Sequence, residues 1–292
     1  MNVMNEKVHA VSVIGSRRLY ETLVSPGFYM ALSLGLALAA LLTTGFSTSI
    51  DTSGFDYRLN PIYDLLGRTL EGGFGAAFFD RLFSEGPVVL ALYVGLAPVF
   101  LYLALSTIFR FTVERSVGAV ELVVYGPADG TSYFVACYVK DLVLGAAAVV
   151  VLLLYIALAS SANNLYLGPM LLQSLLIIVP LLAAGFAYAV LAAVLTDNAA
   201  ASIALFAAVG LLFFLLLAGR FMIVEGYARN LATVLGWILQ WASPLFYWAL
   251  GLRSIGIGDA GLFALSLVLL LALAAALLAA SSRILNARGV RA

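Results

Sequence analysis

From Leu142 to Gly219 the chain carries a single charged side chain, Asp197. A soluble domain cannot be built from such a stretch, because its outward face would offer water nothing. The stretch has to be solvated by lipid. The remainder agrees: 64% of the residues are hydrophobic and only 10% are charged, far from soluble composition. With no water to satisfy a backbone in hydrocarbon, a run of this kind spans as helix. The chain is read as an all-α integral membrane protein.

Charge-free apolar runs mark six spans, at 28–46, 88–109, 142–159, 169–195, 199–219 and 261–281. Each is long enough, with tilt, to cross a hydrocarbon core of roughly 30 Å. Pro98 and Pro180 fall inside two of them and are expected to be tolerated, since neighbouring helices can re-satisfy the freed carbonyls. Pro169 opens its helix, where a missing N–H costs nothing. A leader cleaved at Ala37-Leu38-Ala39 is not expected, because the segment before the first apolar run is too long for one.

Residues 230–252 are also uncharged and long enough to span. Orientation argues against a seventh crossing. Lys7, Arg17 and Arg18 precede the first span, and Arg283, Arg288 and Arg291 follow the last. The 47–87 loop has three arginines against six acids. Both basic ends belong in the cytoplasm, which requires an even number of crossings. Gly236 and Pro244 also interrupt the segment. The 220–260 region is therefore expected to form an outer re-entrant or interfacial hairpin. It contains all three tryptophans, Trp237, Trp241 and Trp248, which read as an interfacial aromatic anchor rather than a substrate gate.

The residue inventory excludes several functions. One cysteine, Cys137, permits no intrachain disulfide or cysteine metal cluster, and one histidine, His9, permits no multi-histidine metal site. The formal net charge is zero, which does not suggest nucleic acid. The six charge-free runs hold no group that could carry a coupling proton or perform intramembrane catalysis. Gln173, Ser174, Ser106 and Thr107 are their most polar members and are expected to bond neighbouring helices. Small residues recur four apart at Gly35/Ala39, Gly185/Ala189 and Ala272/Ala276/Ala280, a pattern that favours close helix packing. The 47–87 loop, rich in glycine and aromatic residues, is expected to form one or two short capping helices, with docking of an extracellular protein as the alternative to a plain lid.

The 110–141 connection should be cytoplasmic, yet it has three basic residues against four acids. A segment held only by lipid charge would be basic, so this one suits a protein partner. Glu114, Gly118 and Glu121 recur at helical spacing with Arg115 and Leu122 alongside, and Gly126-Pro127 ends the run.

Glu114, Arg115, Gly118, Glu121, Leu122, Pro127 and Lys140 together resemble the loop motif of the membrane subunits of ABC-2 type ABC transporters. Ala119 stands where that family more often has Thr. Arg17-Arg18-Leu19-Tyr20-Glu21 and Ser25-Pro26-Gly27-Phe28-Tyr29 are similar to the family's opening segment. Ser243-Pro244-Leu245-Phe246-Tyr247 is similar to its Pro-x-x-Tyr hairpin before the last helix. The resemblance implies a 1–27 elbow, a coupling helix at 110–127 within the 110–141 cytoplasmic segment seated on a cytoplasmic ATPase, and a 282–292 cytoplasmic tail. On a helical wheel the elbow does not separate cleanly, since Arg18 falls among Val8, Val11 and Ile14.

The resemblance also implies a working unit of two permease chains, alike or different, and two ATPases in the cell membrane. The chain lacks a phosphate-binding GxxxxGK[ST] loop, so ATP and Mg would be bound by the partner. It is expected to be a transport subunit rather than an enzyme, exporting an apolar or amphipathic substrate. The alternatives are a subunit that anchors or moves an extracellular partner and a secondary carrier without coupling ions. The expected coupling residues are Glu114, Arg115, Gly118, Glu121, Leu122 and Pro127. The outer hairpin would use Trp237, Trp241, Pro244, Tyr247 and Trp248.

Overall fold

In a computed structural model, residues 3–48, 50–51, 54–55, 61, 64, 88–118, 130–165, 167–225 and 229–288 are described. Most of the 47–87 loop, including its expected capping helices, lies outside them, as does 119–129. The described residues form α1 (Val3–Val24), α2 (Pro26–Thr48), α3 (Val89–Ser116), α4 (Gly130–Ala162), α5 (Pro169–Leu195), α6 (Ala199–Glu225), α7 (Arg229–Ala242), α8 (Pro244–Ile257) and α9 (Ala260–Arg288). Ile50–Asp51 and Gly54–Phe55 make a minimal antiparallel pairing after α2. Six of the helices, α2 to α6 and α9, are long and apolar enough to cross a membrane.

These helices outrun the charge-free runs of the sequence. α3 continues through Arg110, Glu114 and Arg115, and α4 begins early enough to include Lys140 and Asp141. The charge-free runs themselves hold no ionisable side chain, and the helices carry charges just beyond their ends. These charges do not end the helices because each has an opposite charge beside it: Glu114 and Arg110 meet Arg18 and Glu21 of α1, Arg115 meets Asp197, and Lys140 meets its neighbour Asp141.

The centre of the bundle is α3 and α5. α3 packs on α2, α4, α5 and α6, while α5 makes its broadest contact with α9 and also meets α4, α6 and α8. Small residues allow this. Where α2 crosses α3, a Cβ on Gly35 would lie 2.2 Å from the Gly95 carbonyl oxygen, and Ala39 packs into the same crossing. Such close backbone approach is what drives helix association in lipid. The Gly35/Ala39 pair of the sequence is thus a packing seam, whereas Ala272 and Ala276 of α9 are exposed.

Local breaks follow from residue chemistry. Pro26 opens α2 after Ser25, and Pro169 opens α5 after an extended Gly168. Ser243 separates α7 from α8, its side chain accepting from the Phe246 N–H at 3.3 Å with Pro244 next in the chain. Asn198 caps α6 by accepting from the Ala201 N–H at 2.7 Å. α3 ends at Ser116, and Gly118 follows with φ +72, a value that costs glycine nothing. α3 therefore carries Glu114 and Arg115 but stops before Gly118.

Candidate functional site

The densest polar construction lies where α1, α3 and α4 meet. Arg18 of α1 reaches Glu114 of α3 at 2.5 Å, Glu21 at 2.8 Å and the Tyr133 hydroxyl of α4 at 3.0 Å. Tyr133 itself donates to Glu114, and the Arg18 guanidinium lies 5.6 Å from the Tyr133 ring centre. Glu21 also takes Arg17 at 3.0 Å and Arg110 at 3.1 Å. Arg110 and Glu114 are four apart on α3, so one face of that helix meets α1 with both signs of charge. Burial alone would push the Glu21 carboxyl up, but hydrogen bonds and charge from Arg18, Arg17 and Arg110 outweigh it and hold it below the ordinary value of 4.5. Arg18 fails to sit on a polar face of α1 because its partners are inside the chain.

Arg115, one residue on, leaves α3 in another direction and is 6% exposed. Its guanidinium lies 3.5 Å from the carbonyls of Val194 and Thr196 and 3.3 Å from an Asp197 carboxylate oxygen. A cation at the C-terminal carbonyls of α5 is favoured by their unpaired oxygens and by the helix dipole. The sequence placed Glu114 and Arg115 on a partner-facing connector; the structure turns both into the chain. Gly118 lies just beyond, while Glu121, Leu122 and Pro127 are outside the described residues.

About two helical turns up α3 from Glu114 sits a second cluster that the sequence reading missed. Lys140 and Asp141 are 2.6 Å apart, with side chains 3% and 1% exposed. Thr107 donates to Asp141 at 2.6 Å and accepts from Lys140 at 3.1 Å. As expected, Thr107 bonds a neighbouring helix, but its partner is an ion pair. The available signal was the adjacent Lys-Asp at the edge of a charge-free run, which reads equally well as a loop.

At the opposite end of the bundle, α7 and α8 pack on α6 and on α5, α6 and α9 respectively. Tyr188 of α5 donates to the Ala242 carbonyl at the α7–α8 break. The tryptophans separate into two roles. Trp237 and Trp241 are 62% and 69% exposed and meet edge-on at 6.4 Å, on a face shared with Leu231, Val234 and Ile238. Trp248 instead packs 5.3 Å from Tyr93 and lines a cavity. Pro244 and Tyr247 are buried, and Pro244 also touches the cavity. Arg220 of α6 sits against Gly236 and 4.9 Å from the Phe246 ring centre.

The cavity, about 350 Å³, runs between α3, α5, α6 and α8 with an almost wholly apolar lining. No group of three His, Cys, Asp or Glu side chains that could hold a metal comes together among the described residues. No protein-family model, curated protein or solved structure matches the chain.

Proposed function

We propose that the chain is a permease subunit of an ABC-2 type ABC transporter in the cell membrane, with both termini cytoplasmic, paired with a second permease and driven by two separate ATPases. α1 is then the elbow, the segment from Val117 to Asp129 bears the coupling contact, and α7–α8 is a re-entrant hairpin on the outer side. The exposed apolar stripe of α7 supports the hairpin, since a helix surrounded by lipid turns its apolar face outward.

One observation carries the reading. The residues that begin the coupling motif, Glu114 and Arg115, tie the end of α3 to α1 and α4 on one side and to the α5–α6 turn on the other. A push delivered just beyond Gly118 therefore reaches five helices through charge-assisted bonds rather than through lipid. Glu114 and Arg115 transmit in this reading, and Glu121 and Leu122 contact the ATPase.

The test is Glu121→Arg in the intact complex, with Asp129→Arg as its milder counterpart beyond Pro127. Reversing a desolvated interfacial charge costs about 2–5 kcal/mol, so ATPase co-purification and substrate-linked ATP turnover should fall together. Wild-type assembly and turnover in Glu121→Arg would reduce the segment to an ordinary connector.

The buried Lys140–Asp141 pair favours a second reading, a carrier coupled to ion movement. Uptake into vesicles driven by a pH gradient without ATP would support it over the first.

A further inference from the structure

We propose that the cavity between α3, α5, α6 and α8 is a binding slot for one hydrocarbon chain of a membrane lipid, entering sideways from the bilayer. Its volume, lining and opening carry the assignment. On α5 the lining runs from Leu181 to Leu195, about 21 Å along the helix axis. The cavity holds about 350 Å³. A cavity of ~150 Å³ accepts one benzene, so this slot holds a chain of roughly a dozen carbons.

The chemistry of the wall agrees. Phe100 faces Phe206 at 6.4 Å, Tyr188 faces Phe213 at 5.6 Å, and Tyr93 faces Trp248 at 5.3 Å, so aromatic pairs follow one another along the slot. The two tyrosine hydroxyls are spent on backbone: Tyr93 donates to the Ser174 carbonyl at 3.3 Å and Tyr188 to the Ala242 carbonyl. They are already engaged, so recognition here rests on apolar contact and an alkyl chain is the complementary guest.

The way in is also visible. Ala97 of α3 and Gly210 of α6 both line the slot and are both exposed, so it opens between those two helices. Both helices are long enough to span, and the outer face of α6 exposes Leu211, Leu212, Phe214 and Leu215. What lies outside that opening is lipid.

The inference goes beyond the transport proposal and does not depend on it. The chain is reconstituted alone, without ATPase, so failure here leaves the coupling contact intact, and failure of coupling leaves the slot intact. Trp237→Phe and Trp241→Phe leave Trp248 as the only tryptophan reporter. Nanodiscs are made with phosphatidylcholine brominated at mid-chain, and 1-bromododecane is added to a parallel set made with unbrominated lipid. Trp248 should be quenched by the brominated lipid, and quenching should drop several-fold in Ala97→Phe and in Gly210→Phe, which plug the opening. A Cβ at Gly210 meets nothing within 4 Å, so that variant should fold even if Ala97→Phe does not. Absence of quenching by the brominated lipid, or equal quenching in the plugged variants, overturns the proposal. Quenching by bromododecane alone overturns the lipid as the source of the chain.

Discussion

Removing either partner of the Lys140–Asp141 pair should damage the fold far more than removing both. At 2.6 Å the gross attraction is about 6 kcal/mol at an effective dielectric of 20. Burying each ion costs several kcal/mol, so the pair contributes little net stability. Asp141→Asn leaves a Lys140 ammonium that is 3% exposed without its counter-charge. Such an uncompensated buried charge typically costs about 3–5 kcal/mol. Lys140→Met strands the carboxylate to the same degree. The double variant Lys140→Met/Asp141→Leu strands no charge and should unfold within about 1 kcal/mol of wild type, because packed apolar replacements of a buried pair are near neutral. Thr107→Val should cost about 1.5–3 kcal/mol, the range for a hydrogen bond to a charged group. The assay is SDS-titrated unfolding in mixed micelles, read as a double-mutant cycle. A coupling energy below about 1 kcal/mol, or an Asp141→Asn chain as stable as wild type, would show that the pair is solvated and refute the argument.

Three other expectations follow from the geometry. Gly35→Ala drives a methyl group against the Gly95 carbonyl and should cost about 1–3 kcal/mol in the same unfolding assay. Gly219→Ala, where a Cβ meets nothing within 4 Å, should not. Glu21 has a folded pKa below its ordinary 4.5, so its stabilisation is complete above that value and is lost as pH falls through the lower folded one. Thermal scans at descending acid pH should therefore show a shallower loss for Glu21→Gln than for wild type. In a Cys137→Ser background, cysteines at Asn230 and Arg253, both exposed, should label from the same side of the membrane. Labelling from opposite sides would make α7–α8 a crossing segment.

Much of the fold could be read from composition and punctuation. Pro26, Pro169 and Pro244 each open a helix, and the Ser243–Pro244 break that the sequence suggested is where α7 ends. The motif residues were legible but their direction was not. From sequence, Glu114 and Arg115 face a partner, because the 110–141 segment is not basic enough to be held by lipid charge alone. Their partners, Arg18, Tyr133 and Asp197, lie 96, 19 and 82 positions away along the chain, beyond the reach of any helical wheel.

The sequence by itself determined the solvent. A chain with one charge between Leu142 and Gly219 has to live in hydrocarbon, and the backbone then has to be helical. It did not determine which helices form the interior. α5 and α6 are similarly apolar, yet α5 is largely buried and α6 largely exposed. In water, exposure leaves a polar face that can be read from sequence. In lipid, the outside is as apolar as the core, so that signal vanishes. What distinguishes the helices is steric fit, such as Gly35 against Gly95, and pairing of the few charges, such as Lys140 with Asp141. Both are contacts between helices, which exist only once the tertiary structure has formed.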